Sequence, residues 1–138
     1  TKSIPQGLSA CIMFNPEVDV EDNVNEMTAA FKNVKTAMVT YAIKDTSFEG
    51  VDISAGDYMG ILEKTIVCST KDKLDATKEL LRQSISDDDG LVTILVGEDV
   101  NDEEQSMIEE FISTEFDHCE VEITKGLQPV YSFIFGIE

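Results

Sequence analysis

Apolar residues recur along this chain with two different periods, and their order predicts the order of helices and strands. Residues 21–33 and 71–85 carry apolar side chains at helical spacing, and a third stripe of this kind predicts a helix from 102 to about 116. Residues 37–43 alternate with the period of a strand, whereas 91–96 form a nearly unbroken apolar run. A run of this kind is typical of a strand that is covered on both faces.

Shorter apolar runs and turn residues fill the rest of the chain. Residues 1–16 predict a helix with Pro5 near its start, and Asn15-Pro16 ends it. The apolar face of this helix would consist of Leu8, Cys11, Ile12 and Met13. Residues 45–50 and Glu63-Lys64 predict turns. The further strands that we predict are 51–53, 58–62, 65–68, 120–124 and 130–137.

This order predicts an α/β fold with a mixed, mostly six-stranded sheet and helices packed on it. The strand–helix–strand–helix–strand series from 65 to 124 favours a partly parallel sheet, and the closely spaced strands from 37 to 68 favour antiparallel additions. The pattern changes near residue 34. We therefore expect a helical N-terminal segment, 1–33, that continues from a missing upstream part, and an α/β domain, 34–138.

The chain carries a strong negative charge, which excludes some classes of binding partner. The 138 residues include 28 Asp and Glu against 10 Lys and Arg, a net charge of −18, whereas a small soluble domain commonly carries about 2–8. Such a field repels nucleic acids and anionic membrane surfaces. Two interpretations remain open: solubility in an acidophilic or salt-tolerant proteome, and an acidic face that steers the chain toward a basic partner.

Three cysteines indicate a reducing compartment. Cys11, Cys68 and Cys119 are widely spaced and form no Cys-x-x-Cys motif. Cys11 and Cys68 lie in apolar runs, where we expect buried, reduced thiols. No signal peptide and no apolar run near the roughly 20 residues of a membrane span is visible, so we predict a cytoplasmic protein without a membrane span.

Motifs that would bind phosphate or calcium fail at their defining positions. The glycines form neither a dinucleotide-binding nor a P-loop motif, and Gly56 and Gly60 fit a turn and a strand better. Asp87-Asp88-Asp89-Gly90 suggests a calcium loop, but the first and last ligand positions would be Ile85 and Val96. A solvated turn is the better interpretation, and we predict no metal ligands.

The remaining candidates for catalysis are weak as well. His118 and Cys119 are adjacent, and on a strand their side chains would point to opposite faces rather than form a nucleophile–base pair. Glu98, Asp99 and Asp102 follow the strand at 91–96, where they could bind a ligand or serve the cap and dipole of the next helix. We predict no catalytic residues, so an independent hydrolase or kinase is the least favoured hypothesis.

Four strings, in order, resemble one known family. Residues 1–10 resemble a TKTIPQG-x-A stretch, 39–46 resemble VTYAVRDT, 56–61 resemble GDYIGI and 126–131 resemble GGQPLYP. Together they resemble the C-terminal region of the catalytic subunit of bacterial fatty-acid kinase, a dihydroxyacetone-kinase-like protein of the DAK phosphatase-like family. Leu127 departs from this pattern, because it replaces a second glycine.

The resemblance implies a function that the residues alone do not show. In that family an upstream kinase domain binds ATP and magnesium, and the whole enzyme phosphorylates a fatty acid held by a partner protein of the DegV type. The C-terminal region resembles the DegV fold and is implicated in docking that partner. This chain would correspond to the second subdomain of the DegV fold, with no cofactor of its own.

Two functional hypotheses follow from the resemblance. The first is a non-catalytic module that docks the DegV-like fatty-acid-binding protein and contacts the upstream kinase domain of the same chain. The alternative is a lipid- or small-molecule-binding domain, which would need an apolar cavity of about 300 Å³ or more. The residues that we expect to contact a partner lie in exposed loop strings: Gly56, Asp57, Tyr58, Gly60, Gln128, Pro129 and Tyr131.

Overall fold

The computed structural model describes residues 1–138 and contains four helices and eight strands. The helices are α1 (Ile4–Ile12), α2 (Val20–Lys32), α3 (Lys73–Ser84) and α4 (Asp102–Glu115). The strands are β1 (Lys35–Tyr41), β2 (Thr46–Phe48), β3 (Val51–Ile53), β4 (Tyr58–Leu62), β5 (Thr65–Thr70), β6 (Leu91–Val96), β7 (Glu120–Lys125) and β8 (Tyr131–Ile137). The predicted order of elements is confirmed except for β2, which lies in the stretch predicted as a turn.

Each helix begins after a residue whose side chain accepts a hydrogen bond from a backbone N–H three residues later. These N-cap residues are Ser3, Asp19, Asp72 and Asn101. At α4 the bond is reciprocal, since Asn101 Oδ1 accepts from Glu104 N at 2.8 Å and Glu104 Oε2 accepts from Asn101 N at 3.0 Å. A capping box of this kind satisfies two otherwise unpaired N–H groups.

Six strands form one mixed sheet in the order β5-β4-β1-β8-β6-β7. Only β6 and β7 are parallel, and the other neighbours are antiparallel. The predicted partly parallel sheet is confirmed by the β6–β7 pair, and the predicted antiparallel additions include β5. That strand folds back on β4 through the turn at Glu63-Lys64, which leaves β5 at the edge opposite β7.

The strands β2 and β3 form a separate two-stranded hairpin. Glu49 and Gly50 connect them with φ angles of 47° and 86°. Two positive φ angles give the turn the twist that a tight hairpin favours. All three residues of β2 are exposed, so this strand has no buried side to produce an alternating pattern.

One face of the sheet holds the hydrophobic core beneath α3 and α4. Phe133 and Phe135 of β8 stack with ring centroids 5.7 Å apart and are fully buried. Fully buried side chains also come from both helices: Leu80, Leu81, Ile108 and Ile112. Burying a side chain of this size stabilises the fold by about 1.5–3 kcal/mol.

The opposite face of the sheet is covered only over its middle strands, by α1. A Cβ atom at Gly136 of β8 would lie 2.7 Å from Pro5 Cβ, and Ser3 Oγ and Thr36 Oγ1 are hydrogen-bonded at 2.7 Å. Helix α2 packs on α1 rather than on the sheet. This face therefore has a single helix over β8 and β1.

The partial cover corrects two predictions. On β6 the side chains of Val92, Ile94 and Val96 lie in the core, but those on the other face line an open groove beside α1, so the strand is not fully covered on both faces. Cys11 is exposed, whereas Cys68 is buried as predicted. The buried residues of α1 are Pro5 and Ala10, and Cys11 lies outside that contact.

Candidate interaction site

The strand register brings six of the seven predicted contact residues to one end of the sheet. Tyr58 of β4 pairs with Tyr41 of β1, and Tyr131 of β8 pairs with Thr40 on the other side of β1. The remaining predicted residues at this end lie in the adjoining loops: Gly56, Asp57, Gln128 and Pro129. We call this end, with the loops 42–45, 54–57, 97–101 and 126–130, the loop end.

Gly60 does not belong to the loop end. It lies within β4, where a Cβ atom would come 2.5 Å from Cys68 Sγ and 3.0 Å from Leu80 Cβ. The position is therefore a point of close packing between the sheet and α3, and Gly60 is excluded from the candidate site.

The loop 126–130 presents apolar side chains on an unusual backbone. Leu127 and Val130 have φ angles of 54° and 73°, and their exposed fractions are 63% and 56%. A β-branched residue in this region is strained. Two side-chain bonds hold the loop in place, since Gln128 Nε2 donates to Leu95 O at 2.9 Å and Thr40 Oγ1 donates to Val130 O at 2.7 Å.

A second exposed apolar group lies at the end of β1. Ile43 is 85% exposed and Tyr41 is 46% exposed. The adjacent turn is fixed by backbone bonds from Gly56 N to Ala42 O and from Ala42 N to Asp57 O, both 2.7 Å long. Ile43 therefore extends from an ordered part of the chain.

Lys73 connects the start of α3 to the loop between β6 and α4. Its Nζ atom donates to Asp99 O at 2.9 Å and lies 3.3 Å from a Glu104 carboxylate oxygen. The ammonium group also lies 5.8 Å from the ring centroid of Tyr58. Burial alone would lower the pKa of Lys73, but Asp99 and Glu104 outweigh it and raise the pKa. Because Asp99 accepts from Ser132 Oγ at 2.7 Å, the network joins three elements beneath the loop end.

The candidate nucleophile–base pair, His118 and Cys119, lies at the opposite end of β6 and contacts one loop. His118 Nε2 lies 3.1 Å from Ser86 O, and the Cys119 thiol lies 3.4 Å from Asp89 O. Burial and the Asp89 carboxylate raise the pKa of Cys119, which disfavours the nucleophilic thiolate. Asp89 is paired with Lys35 at 2.6 Å, so the acidic turn 87–90 is tied to β1.

Two grooves flank α1 on the partly covered face of the sheet. The groove toward β6 and β7 has a volume of about 490 Å³, and its apolar lining includes Ile4, Leu8, Leu91 and Leu95. The groove toward β1 and β4 has a volume of about 400 Å³, and Met38 and Ile134 lie along it. Gln128 borders both grooves. We call the first the β6–β7 groove.

Comparison with known proteins decides the family. The whole chain, residues 1–138, matches the family of C-terminal regions of FakA-like fatty acid kinase subunits. The chain belongs to this family. The resemblance that the four sequence strings indicated is thereby confirmed.

The relatives that this chain matches are much longer proteins. Protein YloV of Bacillus subtilis (strain 168) is 44% identical over 137 residues, which is 99% of this chain and 25% of YloV. Uncharacterized proteins SH1689 of Staphylococcus haemolyticus (strain JCSC1435) and SAR1202 of Staphylococcus aureus (strain MRSA252) are 38% and 36% identical over 138 residues. Both matches cover 100% of this chain and 25% of the relative. The chain thus spans about a quarter of the length of the curated relatives it matches.

No helix of this chain has the length and apolar character needed to cross a bilayer. The four helices have between 9 and 14 residues, and a membrane span needs about 20.

Sequence reasoning missed several residues of the loop end. Tyr41 and Ile43 share the alternation that predicts a strand up to residue 43, but the strand ends at Tyr41. The pattern also places Val130 in the last strand, which begins one residue later. The signal in the sequence was that these apolar residues lie at the ends of predicted strands, within or next to the strings that resemble the family.

Proposed function

We propose that this chain is a non-catalytic docking module within a fatty acid kinase and that its loop end binds a DegV-like fatty-acid-binding protein. In this proposal, ATP and Mg²⁺ bind elsewhere in a longer protein, whose kinase domain transfers phosphate to the fatty acid. The observation that carries the proposal is the group of exposed apolar side chains held on ordered loops at one end of the sheet.

The chemistry of the loop end supports docking. Ile43, Leu127 and Val130 are each more than half exposed, and removing apolar side chains from water favours association with a partner. The loops are held by the bonds of Gln128 and Thr40, so little conformational entropy would be lost on binding. Tyr58 and Tyr131 add aromatic side chains beside them.

Titration calorimetry of this chain against the DegV-like protein of the same organism tests the proposal. We expect a dissociation constant of micromolar or tighter, about −8 kcal/mol. Ile43→Asp should weaken binding at least tenfold. Met107→Asp is the matched control, because Met107 lies on α4 and is also an exposed apolar residue, 43% accessible. Absence of binding, or equal loss in both variants, would contradict docking through the loop end.

Lipid or small-molecule binding is the second candidate function, and the volumes of the two grooves favour it. Both exceed the roughly 300 Å³ that a small-molecule site needs. The charged side chains in the β6–β7 groove are Glu122 and Glu138, however, and they would repel the carboxylate of a fatty acid. Binding of a fluorescent fatty acid to this chain, and its displacement by an unlabelled fatty acid, would support lipid binding as a function of this chain.

A further inference from the structure

The wall of the β6–β7 groove is an apolar stripe of α1 that lacks a partner. Ile4, Leu8 and Ile12 are spaced four residues apart and therefore lie on one side of the helix. Their exposed fractions are 55%, 44% and 80%. A stripe of this spacing normally packs against another element, but α2 packs on α1 without covering these three side chains.

The floor of the groove is long enough for a short helix. Leu91 and Leu95 face the groove from β6, and Thr124 lies beside Leu95 on β7. Six residues of β6 extend about 20 Å, which is the length of roughly 13 helical residues. The core face of the sheet carries two helices, and this face carries only α1. One further helix beside α1 would complete the second layer.

The outer rim of the groove is acidic. Glu120 and Glu122 of β7 lie beside Leu91 and Thr93 through the parallel register, and Glu138 faces the same groove. None of the three takes part in the five ion pairs of the structure. Unpaired carboxylates beside an apolar floor match a ligand that has an apolar side and a cationic side.

We propose that the β6–β7 groove docks an amphipathic helix of a partner polypeptide whose polar face carries Lys and Arg. The apolar side of that helix packs between α1 and β6, in contact with Leu8 and Leu95. Its Lys and Arg side chains reach the carboxylates of Glu120 and Glu122. The net charge of −18 speeds the approach of such a segment. This surface adjoins the loop end only at Gly126 and Gln128, and the residues that the proposed helix contacts lie outside the loop end.

A synthetic amphipathic helical peptide with Leu on one face and Lys on the other is a suitable probe. We expect it to bind this chain and to shift the NMR signals of Leu8 and Leu95. Leu8→Asp, and separately the pair Glu120→Lys with Glu122→Lys, should each weaken binding about tenfold. The matched control is the pair Glu109→Lys with Glu110→Lys on α4, which changes the net charge equally and should have a much smaller effect.

Three outcomes would overturn the proposal. Equal weakening in the α4 control would show attraction to the acidic surface as a whole. Equal binding of a peptide with Glu in place of Lys would show that charge has no part. If this chain bound phosphatidylcholine vesicles more tightly than the peptide, and Leu8→Asp abolished vesicle binding, the occupant of the groove would be a lipid surface. Ile43→Asp should leave peptide binding unchanged, which keeps this test independent of docking at the loop end.

Discussion

Gly136 of β8 lies directly beneath Pro5 of α1, so that a Cβ atom at position 136 would come 2.7 Å from Pro5 Cβ. A separation under 3.0 Å forces one of the two groups to move. The missing side chain at position 136 thus lets α1 approach the sheet, and it also fixes the position of the two grooves beside α1.

Gly136→Ala should destabilise the chain by displacing α1 from the sheet. We expect a loss of about 1–3 kcal/mol, as for an added group in a closely packed contact, measured by urea unfolding. Gly90→Ala is the control, since a Cβ atom there would meet nothing within 4 Å. Equal effects at the two positions would mean that the contact with Pro5 does not limit the approach of α1.

Acid should weaken the connection between β1 and the acidic turn. Burial raises the pKa of Asp89, but bonds from Lys35 and Ser86 outweigh it and hold the pKa below its ordinary value of 3.8. A lowered folded-state pKa contributes stability that is complete above pH 4 and is lost as the pH falls through the folded-state value. Asp89→Asn should therefore destabilise the chain at pH 7 and flatten its unfolding free energy below pH 4. An unchanged acid dependence would contradict this role of Asp89.

Lys73→Met should loosen the loop between β6 and α4. The substitution keeps most of the apolar stem but removes the donor to Asp99 O and leaves the Glu104 carboxylate only its bond from Asn101 N. We expect a cost of about 1–3 kcal/mol and faster amide exchange in residues 97–101. Lys71→Met, at an exposed position two residues earlier, is the control. Unchanged exchange in 97–101 would mean that the capping box alone orders this loop.

Val130 offers a test in which stability and docking move in opposite directions. Val130→Gly removes the strain of a β-branched residue at a φ of 73° and should raise stability by about 1 kcal/mol. It should also weaken docking of the DegV-like protein, because an exposed apolar side chain is lost. Val130→Ala removes most of the side chain but keeps a Cβ atom, so it should weaken docking with little gain in stability. Tighter docking by the glycine variant would contradict a contact at this position.

Local chemistry made most of the fold predictable. The capping box of Asn101 with Glu104 and the apolar stripes of α3 and α4 are patterns of neighbouring residues, so a helix at each of these positions can be predicted from the sequence. The position of β5 at the edge opposite β7 results from its hairpin with β4. The strand–helix–strand order from 65 to 96 would equally allow β5 to pair in parallel with β6, so the sequence pattern does not decide between the two. The strand β2 escaped detection because none of its side chains is buried.

The candidate site was only partly predictable for a different reason. Six predicted residues meet at the loop end because they flank strand ends that the register aligns. Lys73 gave no signal. Only 11% of its side chain is exposed, and the sequence does not distinguish such a lysine from one that is fully exposed. The positive φ of Val130 is likewise a property of the folded loop, and valine is not a residue that indicates such a turn.

The contact of Pro5 with Gly136 also determines which part of the molecule opens first. Residues 1–33 meet the sheet through this contact, the hydroxyl pair of Ser3 and Thr36, the bond from Ser9 Oγ to Glu138 and the buried Ala10, whereas the strands share a dense core. They can therefore detach as a local unit while the sheet stays folded. A helix can bind in the β6–β7 groove only while residues 1–33 are packed on the sheet. Its measured affinity would therefore be reduced by the free energy needed to keep residues 1–33 in place.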